Sequence, residues 1–161
     1  MLVGKVLAEA AMQEGKFVTW LPAYGAEMRG GTAHCMIVIS DTEIGSPYID
    51  KADTLIIMNQ PSLERFQNRI KKKGLLLVNT SLAGQGDYKD VQPARYPFTD
   101  IAIKLGNIKI ANMVALGCYL AHKKTVGLKS VVEVIAAMAP KGKEELVEIN
   151  KKALQEGVRL K

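Results

Sequence analysis

Apolar residues recur along the first half of this 161-residue chain with two different periods. The spacing of Val3, Val6 and Ala10 predicts an amphipathic helix over residues 2–14, and Gly15 supplies its C-terminal stop. Short apolar runs without charged residues then predict buried strands. These runs cover residues 17–21, 33–39, 54–58 and 75–78.

A further helix is predicted between the third and fourth of these strands. Pro61 suits the first turn of a helix, Leu63 and Ile70 share one face, and Gly74 ends the pattern. The triple lysine at 71–73 then lies near the helix C-terminus, where positive charge is favourable.

The second half of the chain is a polar stretch followed by helices. Residues 79–98 show little periodicity apart from an expected short strand around Val91, and such a length is typical of a functional or partner-contacting loop. Ser130 begins or caps a helix that Pro140 stops. The predicted helices cover residues 99–105, 107–123, 130–138 and 144–157.

Helices that alternate with continuous apolar strands predict an α/β layered fold with a mainly parallel sheet, covered on one side by the helical C-terminal third. The length favours a single domain over residues 1–161. No apolar run approaches the length needed to span a membrane. Lys5 and Glu9 interrupt the apolar residues at the N-terminus, which argues against a signal peptide. We therefore expect a cytoplasmic protein.

The net charge of +6 points to an acidic partner or a phosphate-bearing cofactor. Lysines and arginines are spread along the chain, aromatic residues make up only 6%, and no nucleic-acid motif accompanies the charge. This composition argues against nucleic-acid binding.

Few residues have the spacing that cofactor or catalytic chemistry needs. Cys35 and Cys118 are far apart and form no C-x-x-C pair, which argues against an iron–sulfur or zinc site. His34 and His122 stand in no recognisable triad. The glycines of residues 84–86 resemble only part of a phosphate-binding loop or thiamine diphosphate signature, and a plain turn is favoured. We expect this chain to bind no metal and no cofactor alone.

The loop from Trp20 to Gly31 carries the most suggestive chemistry. Gly30 and Gly31 permit close backbone approach, and Arg29 offers a planar pair of donors to a carboxylate or phosphate. A solvated Glu27–Arg29 ion pair on a surface loop remains an equal alternative at this level.

The run YGAEMRGGTAHCMIVISDTEIGSPYIDKAD, residues 24–53, resembles the gamma subunit of 2-oxoacid:ferredoxin (or flavodoxin) oxidoreductases. The similarity continues through NQPS at 59–62 and LGNIKIANMVALG at 105–117. The resemblance implies a Rossmann-like open fold and a subunit that is inactive alone. In such complexes a 2-oxoacid, coenzyme A and oxidised ferredoxin become acyl-CoA, carbon dioxide and reduced ferredoxin.

The resemblance also implies partners and a site. The partners would be alpha, beta and ferredoxin-like delta subunits, with thiamine diphosphate and iron–sulfur clusters on other chains or domains and ferredoxin reached indirectly. A homodimer is a further expectation left open, and no membrane is involved. The matching positions form an inter-subunit, coenzyme A-proximal face with Arg29 as its anion contact. They are Tyr24, Gly25, Glu27, Arg29, Gly30 and Gly31.

The chain departs from the family pattern at its start. The family opens with a strand and a G-x-G-G-Q-G-type loop, which would fall before Met1, so we expect this element to belong upstream. The sequences of these motifs resemble the 2-oxoglutarate branch of the family most, so we expect 2-oxoglutarate as substrate. Branched-chain 2-oxoacids and pyruvate are the next candidates. Two alternatives stay open: a free-standing nucleotide-binding oxidoreductase, and an oligomerisation module that packs through Ala115 and Gly117 of the 107–123 helix.

Overall fold

A computed structural model describes residues 1–23, 32–88 and 91–161 of the chain. These residues form a long N-terminal helix, five strands, and a C-terminal group of helices. In chain order the elements are α1 Leu2–Gln13, β1 Phe17–Ala23, β2 His34–Ser40, β3 Ala52–Ile57, α2 Gln60–Phe66, β4 Ile70–Asn79, β5 Ala94–Tyr96, α3 Phe98–Lys104, a 3-10 turn Ile108–Ile110, α4 Ala111–His122, α5 Leu128–Met138 and α6 Glu144–Val158.

The strands form two hydrogen-bonded sheets within the described residues. β1 and β2 are antiparallel, with pairs running from Phe17↔Ser40 to Ala23↔His34. β3, β4 and β5 form a parallel sheet in that order. The short link 24–33 explains the difference, because a parallel connection needs a crossover of a dozen or more residues. The predicted α/β class with a parallel sheet and a helical C-terminal third is confirmed.

The predicted helix over 61–74 is wrong beyond Phe66. Ile70 pairs with Ala52, and the triple lysine lies in the first half of strand β4 instead of at a helix end. The register then shifts at a bulge, where Lys73 has a φ of 61°. Gly74 is needed there, since a Cβ would come within 2.9 Å of the Lys71 carbonyl oxygen. The last strand of this sheet is likewise Ala94–Tyr96 and is not centred on Val91.

Strand β4 divides the core into two parts. Leu77 faces the main cluster, which is built from α1 and the C-terminal helices. Leu76 and Val78 face the opposite side, where they pack with Leu63 and Phe66 of α2. Successive side chains of a strand point to opposite faces, so helices cover both faces of this strand. This arrangement explains why residues 75–78 contain no polar residue.

Helices α4 and α6 approach closely enough for backbone contact. A Cβ on Gly117 would overlap the carbonyl oxygen of Leu154, and a Cβ on Gly157 would overlap the carbonyl oxygen of Val114. Ala115 is fully buried as well. The small residues of α4 therefore pack inside this chain. They are not exposed for packing against another chain, as the alternative of an oligomerisation module requires.

A side chain from the end of α1 caps the start of α5. Glu14 Oε1 accepts hydrogen bonds from the Gly127 amide and from the Ser130 hydroxyl, each at 2.7 Å. These two bonds, the Ser130 bond first, lower the pKa of Glu14 from its ordinary value of 4.5. The helix begins at Leu128, and Ser130 acts inside its first turn by donating to Glu14.

Within the described ranges, each helix falls short of the length or apolar character needed to cross a bilayer. The expectation of a further strand and glycine loop ahead of α1 stays a prediction.

We expect Gly117→Ala to lower the free energy of unfolding by about 1–3 kcal/mol, because the added methyl group would collide with backbone and not with a movable side chain. Alanine would otherwise stabilise a helix interior by about 1 kcal/mol. Denaturant unfolding measures the effect. Gly45→Ala is the control, since a Cβ at that position would meet no other atom within 4 Å among the described residues; equal stability of the two variants would contradict the close crossing.

We expect Glu14→Ala to cost about 1 kcal/mol at pH 7, which is typical for loss of a helix cap. The folded-state pKa of Glu14 is lowered, so its contribution is present above the unfolded pKa and is lost as the pH falls through the folded pKa. Unfolding curves of the wild type and the variant, separate at pH 7, should therefore approach each other as the pH falls below 4.5. Glu9→Ala is the control because Glu9 makes only a loose pair with Lys5 at 3.7 Å; an equal loss in both variants would exclude the cap.

Candidate functional site

The six predicted site residues lie outside the described residues. Tyr24, Gly25, Glu27, Arg29, Gly30 and Gly31 all belong to the segment 24–31. The structure does define where that segment attaches. Ala23 pairs with His34 across the β1–β2 ladder, so residues 24–33 join the adjacent ends of two antiparallel strands.

The attachment point of this segment packs against α2. Arg65 Nη1 donates a 2.8 Å hydrogen bond to Thr32 Oγ1, and the rings of His34 and Phe66 lie 4.6 Å apart. The guanidinium carbons of Arg65 and Arg69 lie 5.4 Å and 6.0 Å from the centre of the Phe66 ring. We call Thr32, His34, Arg65, Phe66 and Arg69 the loop-base cluster.

His34 is a packing residue of this cluster. Its Nδ1 is buried and has no hydrogen-bond partner among the residues that the structure describes. Burial first, and then the charges of Arg65 and Arg69, lower the pKa of His34 below 6.5. The imidazole is therefore neutral near pH 7, and the two arginines carry the positive charge of the cluster. The shielded Nδ1 argues against a proton-transfer role for this atom.

The carboxyl end of the parallel sheet, where open α/β folds usually bind ligands, is filled by structural contacts. Asn79 is fully buried. Its Nδ2 donates to the Met58 carbonyl at 3.0 Å and to Thr99 Oγ1 at 2.9 Å. Asn59 Oδ1 accepts from the Ser62 amide and so caps α2. These polar groups therefore join β3, β4 and the first turns of α2 and α3.

The stretch of residues 84–87 is irregular, and side chains of α2 and of the residue after it bond to its backbone. Gln60 Oε1 accepts from the Gly84 amide at 2.8 Å, and Gln67 Oε1 accepts from the Asp87 amide at 2.9 Å. Arg95 donates to the Gly84 carbonyl at 3.1 Å. Side chains already occupy the amides of Gly84 and Asp87, which argues against a phosphate-binding loop. The plain turn predicted here is not formed, because residues 84–86 are irregular. The sequence carries no local signal for these contacts, which link residues 11 to 24 positions apart.

The described residues do not fit an iron–sulfur cluster or a zinc ion. Cys35 lies in β2 and Cys118 lies in α4. Burial raises the pKa of the Cys118 thiol to about 11, which disfavours the thiolate that metals require. No group of three or more His, Cys, Asp or Glu side chains in the described ranges could hold a metal ion.

Residues 1–160 match the family described as pyruvate ferredoxin/flavodoxin oxidoreductase. The chain therefore belongs to this family. Within it, the chain is similar to separate gamma subunits: its structure superposes on the gamma subunit of a keto/oxoacid ferredoxin oxidoreductase from Geobacter sulfurreducens with a TM-score of 0.85. The two chains are 28% identical, and the match covers 99% of this chain and 89% of that chain.

Two curated relatives carry different substrate names. The ketoisovalerate oxidoreductase subunit VorA of Methanothermobacter marburgensis is 35% identical over 155 residues, which cover 96% of this chain and 32% of VorA. The 2-oxoglutarate synthase subunit KorC of Methanocaldococcus jannaschii is 33% identical over 149 residues, covering 90% of this chain and 80% of KorC. This chain thus spans about a third of VorA and most of KorC.

Proposed function

We propose that residues 1–161 act as one gamma-type domain of a cytoplasmic 2-oxoacid:ferredoxin oxidoreductase complex. The observation that carries the proposal is the family match along residues 1–160, with gamma-subunit similarity over the same length. The complex would convert a 2-oxoacid and coenzyme A to acyl-CoA and carbon dioxide, and would pass the electrons to ferredoxin. Alpha, beta and ferredoxin-like delta subunits would be the partners.

This chain would contribute a surface and not a complete active site. As the family resemblance implies, thiamine diphosphate and iron–sulfur clusters would be held by the partner chains. In the described residues, no group of three or more His, Cys, Asp or Glu side chains could hold a metal ion. The segment 24–31 would form the inter-subunit, coenzyme A-proximal face. Arg29 would contact an anion with its planar donors, while Gly30 and Gly31 would let the backbone approach closely.

The loop-base cluster supports this role for the segment. Antiparallel pairing up to Ala23 and His34 holds both of its ends together, and the Arg65–Thr32 hydrogen bond joins its C-terminal end to α2. Binding residues are often carried by connecting segments whose ends a rigid scaffold positions. A free-standing nucleotide-binding oxidoreductase is less well supported, because the amides of Gly84 and Asp87 are already bonded to side chains.

For the substrate we propose 2-oxoglutarate, which the motifs favour and which the similarity to KorC supports. Ketoisovalerate is the second candidate. The identity to VorA, 35%, is similar to the 33% for KorC, so the preference for 2-oxoglutarate rests on the motifs. We propose that the partner subunits, which would hold the thiamine diphosphate, determine which 2-oxoacid is accepted.

The test is reconstitution. We expect the purified chain alone to show no 2-oxoacid oxidation and no iron–sulfur absorption after anaerobic purification. The complex formed with the products of neighbouring genes should reduce ferredoxin only when both a 2-oxoacid and coenzyme A are present. Comparing kcat/KM for 2-oxoglutarate, ketoisovalerate and pyruvate identifies the substrate. Stoichiometric iron in the isolated chain would refute the proposal. Full activity of a complex assembled without this chain would refute it as well.

We expect Arg29→Ala to leave the chain folded and to raise KM for coenzyme A, or weaken assembly, by about tenfold or more. The reason is that a charge-assisted hydrogen bond typically contributes about 1.5–3 kcal/mol. A substitution in a surface loop, which is what the sequence predicts for this segment, changes the free energy of unfolding by only about 0.5 kcal/mol. Steady-state kinetics and pull-down of the complex measure the two effects. Lys129→Ala is the control, since the Lys129 side chain is exposed on α5. Wild-type values for both quantities would remove Arg29 from the site.

A further inference from the structure

We infer that Arg65 and Arg69 form a docking point for an acidic surface of a partner subunit. The inference rests on the proposed function, since it assumes that partner subunits exist. It adds a second contact region to the face that we assign to segment 24–31. This region is formed by α2 and the residues that directly follow it.

The two arginines are held in place without being neutralised. Both are exposed, and both guanidinium groups lie over the ring of Phe66, which is itself buried. Arg65 has a second fixed contact through Thr32 Oγ1. Contact with an aromatic face orients an arginine and leaves most of its donors free. Such pre-ordering lowers the conformational entropy that the side chains lose on binding.

Neither guanidinium pairs with a carboxylate in the part of the chain that the structure describes. Glu64, the acid next to Arg65, accepts instead from Gln60 Nε2 at 2.9 Å. Several other surface cations do have such partners. Examples are the pairs Lys16–Asp41, Lys71–Asp53 and Lys151–Glu148, at 2.7–3.0 Å. The pair Arg65 and Arg69 is therefore a local concentration of uncompensated positive charge in a chain with a net charge of +6.

Position and shape favour a protein as the occupant. Arg65 bonds to the residue that directly follows segment 24–31, so the cluster is continuous with the proposed inter-subunit face. Arg65 lies on the exposed face of α2 and Arg69 lies just beyond the end of this helix, so the two guanidiniums suit a broad carboxylate-bearing surface. Arginine is enriched at protein interfaces and at their energetic centres.

The test compares two double charge reversals in the complete complex. R65E/R69E removes the proposed contact, while K141E/K143E makes the same change in net charge between α5 and α6, where both lysines are exposed. Thermal melting first confirms that both variants fold. We expect R65E/R69E to weaken binding to the partner subunits by about tenfold or more and to flatten its salt dependence. K141E/K143E should bind like wild type, and R65K/R69K should retain part of the affinity.

Three results would overturn the inference. One is equal binding by wild type and R65E/R69E. A second is intact assembly of R65E/R69E with a raised KM for coenzyme A, which would identify a phosphate as the occupant. The third is equal weakening by both reversals, which would indicate only a dependence on net charge. If the wild-type chain assembled with no partner subunit, the proposed function itself would fail, and this inference with it.

Discussion

The crossing of α4 and α6 is the contact on which the rest of this structure depends. Gly117 and Gly157 each face a carbonyl oxygen of the other helix, so the two backbones touch where side chains would normally separate them. This close approach buries α4 almost completely. The helix in turn packs against α1, α3 and β4, so its position determines where the parallel sheet lies. Any side chain at either glycine would push these layers apart.

As a consequence, one part of the chain packs internally and a different part is available for contact with partners. The C-terminal helices pack against each other within the chain. The carboxyl end of the parallel sheet is filled by Asn79 and by the irregular stretch 84–87, to which Gln60 and Gln67 bond. The usual ligand position of an open α/β fold is therefore occupied by the protein itself. Beside the end of the β1–β2 pair, two exposed guanidiniums carry no carboxylate partner among the described residues. This is the surface that we propose for partner subunits.

Most of the secondary structure could be predicted because it follows from local periodicity. The apolar spacing in α1 and the uncharged runs of β2, β3 and β4 correspond to elements of the structure within a few residues. The helix predicted up to Gly74 failed because Ile70 fits a helical face as well as a strand, and pairing with Ala52 decides between them. Residue spacing contains no information about a bulge created by a partner strand.

The site was less accessible to prediction. Glu14 caps a helix that begins more than a hundred positions later, and Arg65 reaches Thr32 across 33 positions. Such contacts depend on the tertiary fold and leave no local pattern. The motif that identified the family includes segment 24–31, outside the described residues, and its assigned roles stay proposals. The structure contributes the arginine pair beside it, which motif comparison did not reveal.

Hydrogen–deuterium exchange of the chain alone and in the assembled complex tests most directly whether partners contact the end of the β1–β2 pair while α4 and α6 pack within the chain. Slower exchange on assembly is expected in residues 20–36 and 60–70, which contain the proposed face and the loop-base cluster. The amides of α4 and α6 should exchange at the same rate in both states, because their packing is complete within the chain. Slower exchange confined to the C-terminal helices, with no change in residues 20–36 and 60–70, would contradict the proposed partner-contacting surface.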